Sequence, residues 1–148
     1  MNRALELLLS LTVVLTASAR VFGDTAVDYY NFGMGKFAKN DLASAIADFD
    51  IAIEFNPDSE TAYFGRGDAK WKQGDLAGAI ADFSKVIELR PDDEEAYIDR
   101  GNVKLLRSDW AGAIADFTKA ITLEPRDAQA YVGRGLLCWA RTGKEIHA

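Results

Sequence analysis

The strongest constraint in this sequence is a strict internal period. Pro57, Pro91 and Pro125 are its only prolines, and each lies 34 positions from the next. Gly33, Gly67, Gly101 and Gly135 keep the same step, as do Tyr29, Tyr63, Tyr97 and Tyr131. Ala45, Ala79 and Ala113 follow it, and so do Phe49, Phe83 and Phe117. Segments 60–93 and 94–127 are identical at 19 of 34 positions. A self-similar chain of this period folds as stacked copies of one supersecondary unit, because a single copy cannot bury its apolar face alone.

Each unit reads as two helices. Asp58 or Ser59 caps the first helix of the second unit, where Ala62, Tyr63, Gly67 and Trp71 recur at helical spacing. Gln73-Gly74-Asp75 breaks it, and Asp75 caps a second helix whose apolar face is Leu76, Ala79, Ile80, Phe83, Val86 and Ile87. Asp41 and Asp109 repeat that capping role, and Pro91 stops the second helix. Alternation of period two is absent, so no strands are expected.

Tyr, Gly, Ala, Phe and Pro at these offsets resemble the tetratricopeptide repeat (TPR) family, whose unit is a 34-residue helix–turn–helix. The resemblance covers roughly Ala26 to Arg141, and it implies an all-α, right-handed α-solenoid. Its units are 26–59, 60–93 and 94–127, followed by a lone terminal helix over 128–141 and a tail over 142–148. One departure stands out. Where the family often has an aromatic three residues after the glycine, this chain has Lys36, Lys70, Lys104 and Cys138. The bulky residue follows one place later, as Phe37, Trp71, Leu105 and Trp139.

The segment 1–23 differs from the rest. Arg3 begins a short positive start, Leu7 to Ala19 is an apolar run, and Ala17-Ser18-Ala19 is a small-residue site of the A-x-A type. This is the pattern of a signal peptide cleaved near Ala19 or Gly23, so the expected location is periplasmic or secreted. A buried N-terminal helix and an uncleaved anchor are the alternatives, although the run falls short of the roughly 20 apolar residues of a comfortable span.

Repeating charges suggest a ladder between units. Asp48, Asp82 and Asp116 precede the repeat phenylalanines, while Arg66, Arg100 and Arg134 precede the repeat glycines and Phe32 holds that place in the first unit. Joining each Asp to the Arg of the following unit matches all of them, which predicts inter-repeat pairs Asp48–Arg66, Asp82–Arg100 and Asp116–Arg134.

In TPR proteins the concave face is lined mainly by first helices and grips peptides or partner helices. The resemblance carries that face onto Tyr30, Met34 and Phe37, then Phe64, Asp68 and Trp71. Ile98, Asn102 and Leu105 follow in the third unit, and Val132, Leu136 and Trp139 on the last helix. The Lys and Arg cluster of members that clamp a terminal carboxylate is missing here. An apolar or amphipathic protein segment is therefore the expected partner, since large aromatic side chains dominate binding hot spots. Leu136-Leu137-Cys138-Trp139 is apolar all round, which adds possible self-association through the terminal helix.

Composition narrows the function further. With 17 Lys+Arg against 23 Asp+Glu the net charge is −6, so nucleic acid is not an expected partner. A single cysteine, Cys138, and a single histidine, His147, leave little for metal or triad chemistry. Asp92-Asp93-Glu94-Glu95 lacks the ligand alternation and glycine of a calcium loop. No catalytic residues, metal, cofactor or small-molecule substrate are expected. The sequence reads as a non-enzymatic interaction scaffold, with a self-associating structural subunit as the alternative.

Overall fold

A computed structural model of the chain describes residues 25–142, with side chains described as far as residue 135. The expected signal peptide and cleavage site lie outside the described residues. Seven helices follow one another: α1 Ala26–Ala38, α2 Leu42–Phe55, α3 Glu60–Gln73, α4 Leu76–Leu89, α5 Glu94–Leu106, α6 Trp110–Leu123 and α7 Ala128–Thr142. No strand occurs among the described residues. The helices form three antiparallel hairpins and a final single helix, each packed on the next. No helix among the described residues is long and apolar enough to cross a membrane.

Local chemistry sets each boundary. Thr25 and Asp28 form a reciprocal capping box at the start of α1, with Thr25 N–H donating to Asp28 Oδ2 at 2.8 Å. Asp41, Asp75 and Asp109 cap the second helices, accepting from the amides of Ser44, Gly78 and Gly112. Between the helices of a hairpin the chain turns through a left-handed residue: Asn40 at φ 61°, Gly74 at 92° and Ser108 at 62°. In each turn the amide of the next residue, Asp41, Asp75 or Asp109, donates back to the carbonyl of Lys36, Lys70 or Lys104. That closes the helix end with its last carbonyls satisfied.

The interior repeats with the sequence. Phe49, Phe83 and Phe117 are wholly buried, as are Ala45, Ala79 and Ala113. Glycines let the rings in. A Cβ on Gly33 would lie 2.7 Å from the Phe49 ring, and one on Gly65, in the next hairpin, 2.8 Å from it. Gly101 and Gly133 hold the Phe117 ring in the same way, at 3.0 and 2.6 Å. The middle junction differs. Gly67 faces Phe83 at 2.9 Å, but the position that is Gly65 and Gly133 in its neighbours is Asp99. Correspondingly, α1 packs on α3 and α5 on α7, whereas α3 and α5 make a sparser approach.

Candidate binding groove

The inner side of the first helices carries most of the positions expected there. Tyr30, Met34, Phe64 and Asp68 line one cavity of about 340 Å³, which α1 and α3 build together with the corner between α4 and α5. Phe37, Trp71 and Asp68, joined by Lys72, line a second of about 290 Å³. Asp68 lines both, so the two cavities adjoin along α1 and α3 and are described together as a furrow. The aromatic walls rest on the core: Phe64 meets Phe83 edge-on at 5.4 Å, Trp71 meets it at 6.5 Å, and Tyr30 tilts against Phe49 at 5.9 Å. Lys72 lies 5.0 Å from the centre of the Phe37 ring, holding that ring's face by a cation–π contact.

The furrow does not run on through the third hairpin as expected. Ile98 is only 4% exposed and belongs to the core cluster around Phe117, with Leu105 packed against it. The isoleucine side chain joins the cluster that α5, α6 and Ala130 of α7 close around Phe117. Asn102 is half-buried, and Val132 is open to solvent. The side chains of Leu136 and Trp139 lie outside the described residues.

Carboxylates dominate the polar part of the furrow. Glu60, Asp68, Asp93 and Glu95 line the larger cavity, against one cation, Arg90. Arg90 is already engaged, 3.2 Å from Glu60 and 3.6 Å from Asp93. Burial pushes the Asp68 carboxyl up to about 6, with the charge of Glu95 adding to it. Asp99 goes up to about 7, first through burial and then through Asp68, Glu95 and Asp93, while a hydrogen bond from Asn102 pulls it back. Glu95 was not among the expected groove residues, nor was Asp99, which does not line either cavity but lies close enough to feel the charges of Asp68 and Glu95. The signal for Asp99 is its place in the repeat, where two other units have glycine.

The charge ladder is real, but its register differs from expectation. Arg66 binds Asp82 of its own hairpin through both Nε and Nη2, at 3.0 and 2.6 Å. Arg100 binds Asp116 likewise, at 3.0 and 2.7 Å. The expected inter-repeat pairs Asp48–Arg66, Asp82–Arg100 and Asp116–Arg134 are therefore corrected to pairs within a hairpin. The link to the previous hairpin comes from the third guanidinium nitrogen, which reaches Asp50 from Arg66 and Ser84 from Arg100. The in-hairpin register leaves Asp48 without an arginine, since Phe32 holds that place, and Lys36 answers it at 2.7 Å. At the other end Arg134 lies over the Tyr131 ring, 5.5 Å from its centre.

The lysines that depart from the family pattern explain themselves here. Lys36, Lys70 and Lys104 reach Asp48, Asp82 and Asp116 at 2.7, 2.8 and 2.8 Å. Each buried aspartate is thus neutralised from the first helix of its own hairpin. Burial opposes the charge on Arg66, but Asp82 and Asp50 more than offset it and hold the guanidinium firmly cationic.

Comparison with known proteins agrees with this architecture. A family model described as tetratricopeptide repeat matches residues 30–94 and 98–144. Among curated proteins, none matches the chain by sequence. Solved structures do match by fold. The first TPR of Spaghetti (RPAP3), bound to the HSP90 peptide SRMEEVD, superposes with a TM-score of 0.77 at 19% identity, covering 80% of this chain and 94% of that one. The second TPR domain of human RPAP3, in complex with the HSP70 peptide SGPTIEEVD, gives 0.72 at 22% identity, covering 76% and 93%. The crystal structure of MamA gives 0.78 at 20% identity, covering 86% and 74%. With the family model spanning most of the residues, this chain belongs to the tetratricopeptide repeat family.

Proposed function

We propose that the chain is a non-enzymatic interaction scaffold that holds a peptide or partner helix in the furrow between α1 and α3. The observation that carries this is the cavity of about 340 Å³ to which two successive hairpins contribute Tyr30, Met34 and Phe64. Convergent aromatic and aliphatic walls bury large area at modest entropic cost. Two similar TPR domains hold chaperone peptides, and those peptides end in acidic residues. Here Asp68 and Glu95 stand in the furrow, so an acidic tail would meet repulsion and an apolar segment would not. A photocrosslinking residue tests the reading directly. Placed at Met34 it captures the native partner, and placed at Ala115, exposed on the second helix of the third hairpin, it does not. Adducts from Ala115 alone would refute the assignment.

The N-terminal apolar run supports action outside the cytoplasm, as a periplasmic or secreted protein. Sequencing the N-terminus of the native protein tests this, since a chain that still begins at Met1 in a soluble extracytoplasmic fraction contradicts cleavage.

A second reading, self-association through the open end, is favoured by one contrast. Tyr97 and Ile98 are 9% and 4% exposed, but their counterparts Tyr131 and Val132 on α7 are 44% and 60% exposed. A dimer formed this way dissociates in Val132→Glu, read as mass by light scattering. A monomer at high micromolar concentration in the unaltered chain removes the reading.

A further inference from the structure

We propose that the segment held in the furrow carries a lysine or arginine flanked by apolar side chains, its cation seated among Asp68, Glu95 and Asp99. The inference rests on the groove reading above and specifies its partner. It starts from a contrast between two sets of carboxylates. Asp48, Asp82 and Asp116, buried inside the hairpins, each have a lysine of their own, and two of them an arginine as well. No ion pair of the described residues engages Asp68, Glu95 or Asp99. Two cations border these cavities: Arg90 is held by Glu60 and Asp93, and Lys72 lies over the Phe37 ring and makes no ion pair with Asp68 among the described residues.

Charge complementarity then selects the occupant. A purely apolar segment would strip water from Asp68 and leave it unpaired beside Asp99, which is costly for a half-buried carboxylate. An anionic segment would add repulsion. A cation brought in between apolar groups satisfies both walls at once: the carboxylates gain the partner the chain does not supply, and Tyr30, Met34 and Phe64 bury the flanking side chains. Asp99 also marks the place. It stands where Gly65 and Gly133 close the neighbouring junctions, and α3 and α5 approach more sparsely there. The raised proton affinities of Asp68 and Asp99 accord with carboxylates lacking a positive neighbour.

The test uses the full chain as bait for a phage-displayed library of short random peptides. Enriched peptides are synthesised with a fluorophore and titrated by polarisation. The expected consensus is Lys or Arg with apolar residues on both sides. Replacing that cation by Gln in the peptide weakens binding at least tenfold, as does Asp68→Asn with Asp99→Asn in the protein. Glu95→Gln, at an exposed site where the fold is not at stake, weakens it severalfold, and Met34→Glu abolishes it. Peptides without a cation whose binding is lost in Met34→Glu would leave the groove reading standing and overturn this inference. Cationic peptides indifferent to the Asn and Gln variants would overturn it too, as attraction to the net negative surface alone. No enrichment, or binding indifferent to Met34→Glu as well, would overturn both readings.

Discussion

Two half-buried carboxylates without cations make the stability of this chain depend on pH in an unusual direction. Carrying Asp99 from an ordinary 3.8 to about 7 corresponds to about 4 kcal/mol, at about 1.4 kcal/mol for each tenfold change in proton affinity. Carrying Asp68 from 3.8 to about 6 corresponds to about 3 kcal/mol on the same scale. Both keep an edge in water, and part of the Asp99 effect is the charge of Asp68, so screening and overlap reduce the pair to about 2 kcal/mol. Unfolded, both carboxyls release their protons near pH 4. Folded, they hold them up to about pH 6 and 7. Between these limits the folded chain binds more protons, so stability falls as pH rises from about 4 to 7 and is flat above. Thermal unfolding at pH 5 and pH 8 reads this directly, with an expected drop of about 8 °C for a chain of this size. Glu94, pushed up to about 7 by its hydrogen bond with Asp127 and then by burial, titrates in the same range. The comparison is therefore with Asp68→Asn/Asp99→Asn, which keeps Glu94 and should lose most of the slope while gaining stability at pH 8. Parallel profiles for the two proteins would show that the furrow carboxylates carry no unpaired charge, and the argument for a cationic partner would lose its footing.

Further outcomes follow from the packing and the ladder. Asp82→Ala leaves Arg66 and Lys70 without their buried partner and should cost about 3–5 kcal/mol by urea denaturation. Asp48→Ala, which frees only Lys36, should cost clearly less. Gly33→Ala forces a Cβ to within 2.7 Å of the Phe49 ring and should cost about 1–3 kcal/mol. Gly35→Ala, two residues on with nothing within 4 Å, should stabilise by about 0.5–1 kcal/mol through helix propensity alone. Equal effects at the two glycines would show that the ring does not occupy that place. Ser108→Gly relieves a left-handed turn residue at φ 62° and should raise the unfolding midpoint, a gain of about 0.5–1 kcal/mol.

The helices were legible because the capping, turn and stop signals fall on the same repeating grid as the apolar face, so each local choice agrees with the stack. The ladder was legible in its members but not in its register. An aspartate can be matched to the arginine of the next unit or to that of its own, and spacing alone prefers whichever leaves none over. The hairpin decides instead, because it sets α3 against α4 and brings Arg66 onto Asp82, at 2.6 Å. Lys36, Lys70 and Lys104 held the missing clue, since they share the period and supply the partner that Phe32 cannot give Asp48. In the furrow, register placed Tyr30, Phe64 and Ile98 alike, but the two aromatic rings stay half-buried while the isoleucine joins the core around Phe117. Glu95 left no trace in the pattern, because its contribution is electrostatic and comes from the first turn of α5.

Asp99 shows what the stack gives up. A repeat array gains stability from regularity, since every junction between units adds an interface term. Gly65 and Gly133 secure two junctions by letting the next helix close on the phenylalanine ring, at 2.8 and 2.6 Å from a notional Cβ. Glycine at 99 would extend the same solution to the third. The chain instead places there a carboxylate that burial disfavours, beside a second one at Asp68, and withholds the lysine it gives each buried aspartate of the ladder. Departures from local consistency that cost stability are concentrated at functional sites. This one coincides with the sparser approach of α3 and α5 and adds its charge to those of Asp68 and Glu95 in the furrow, which is why the missing cation is assigned to the partner.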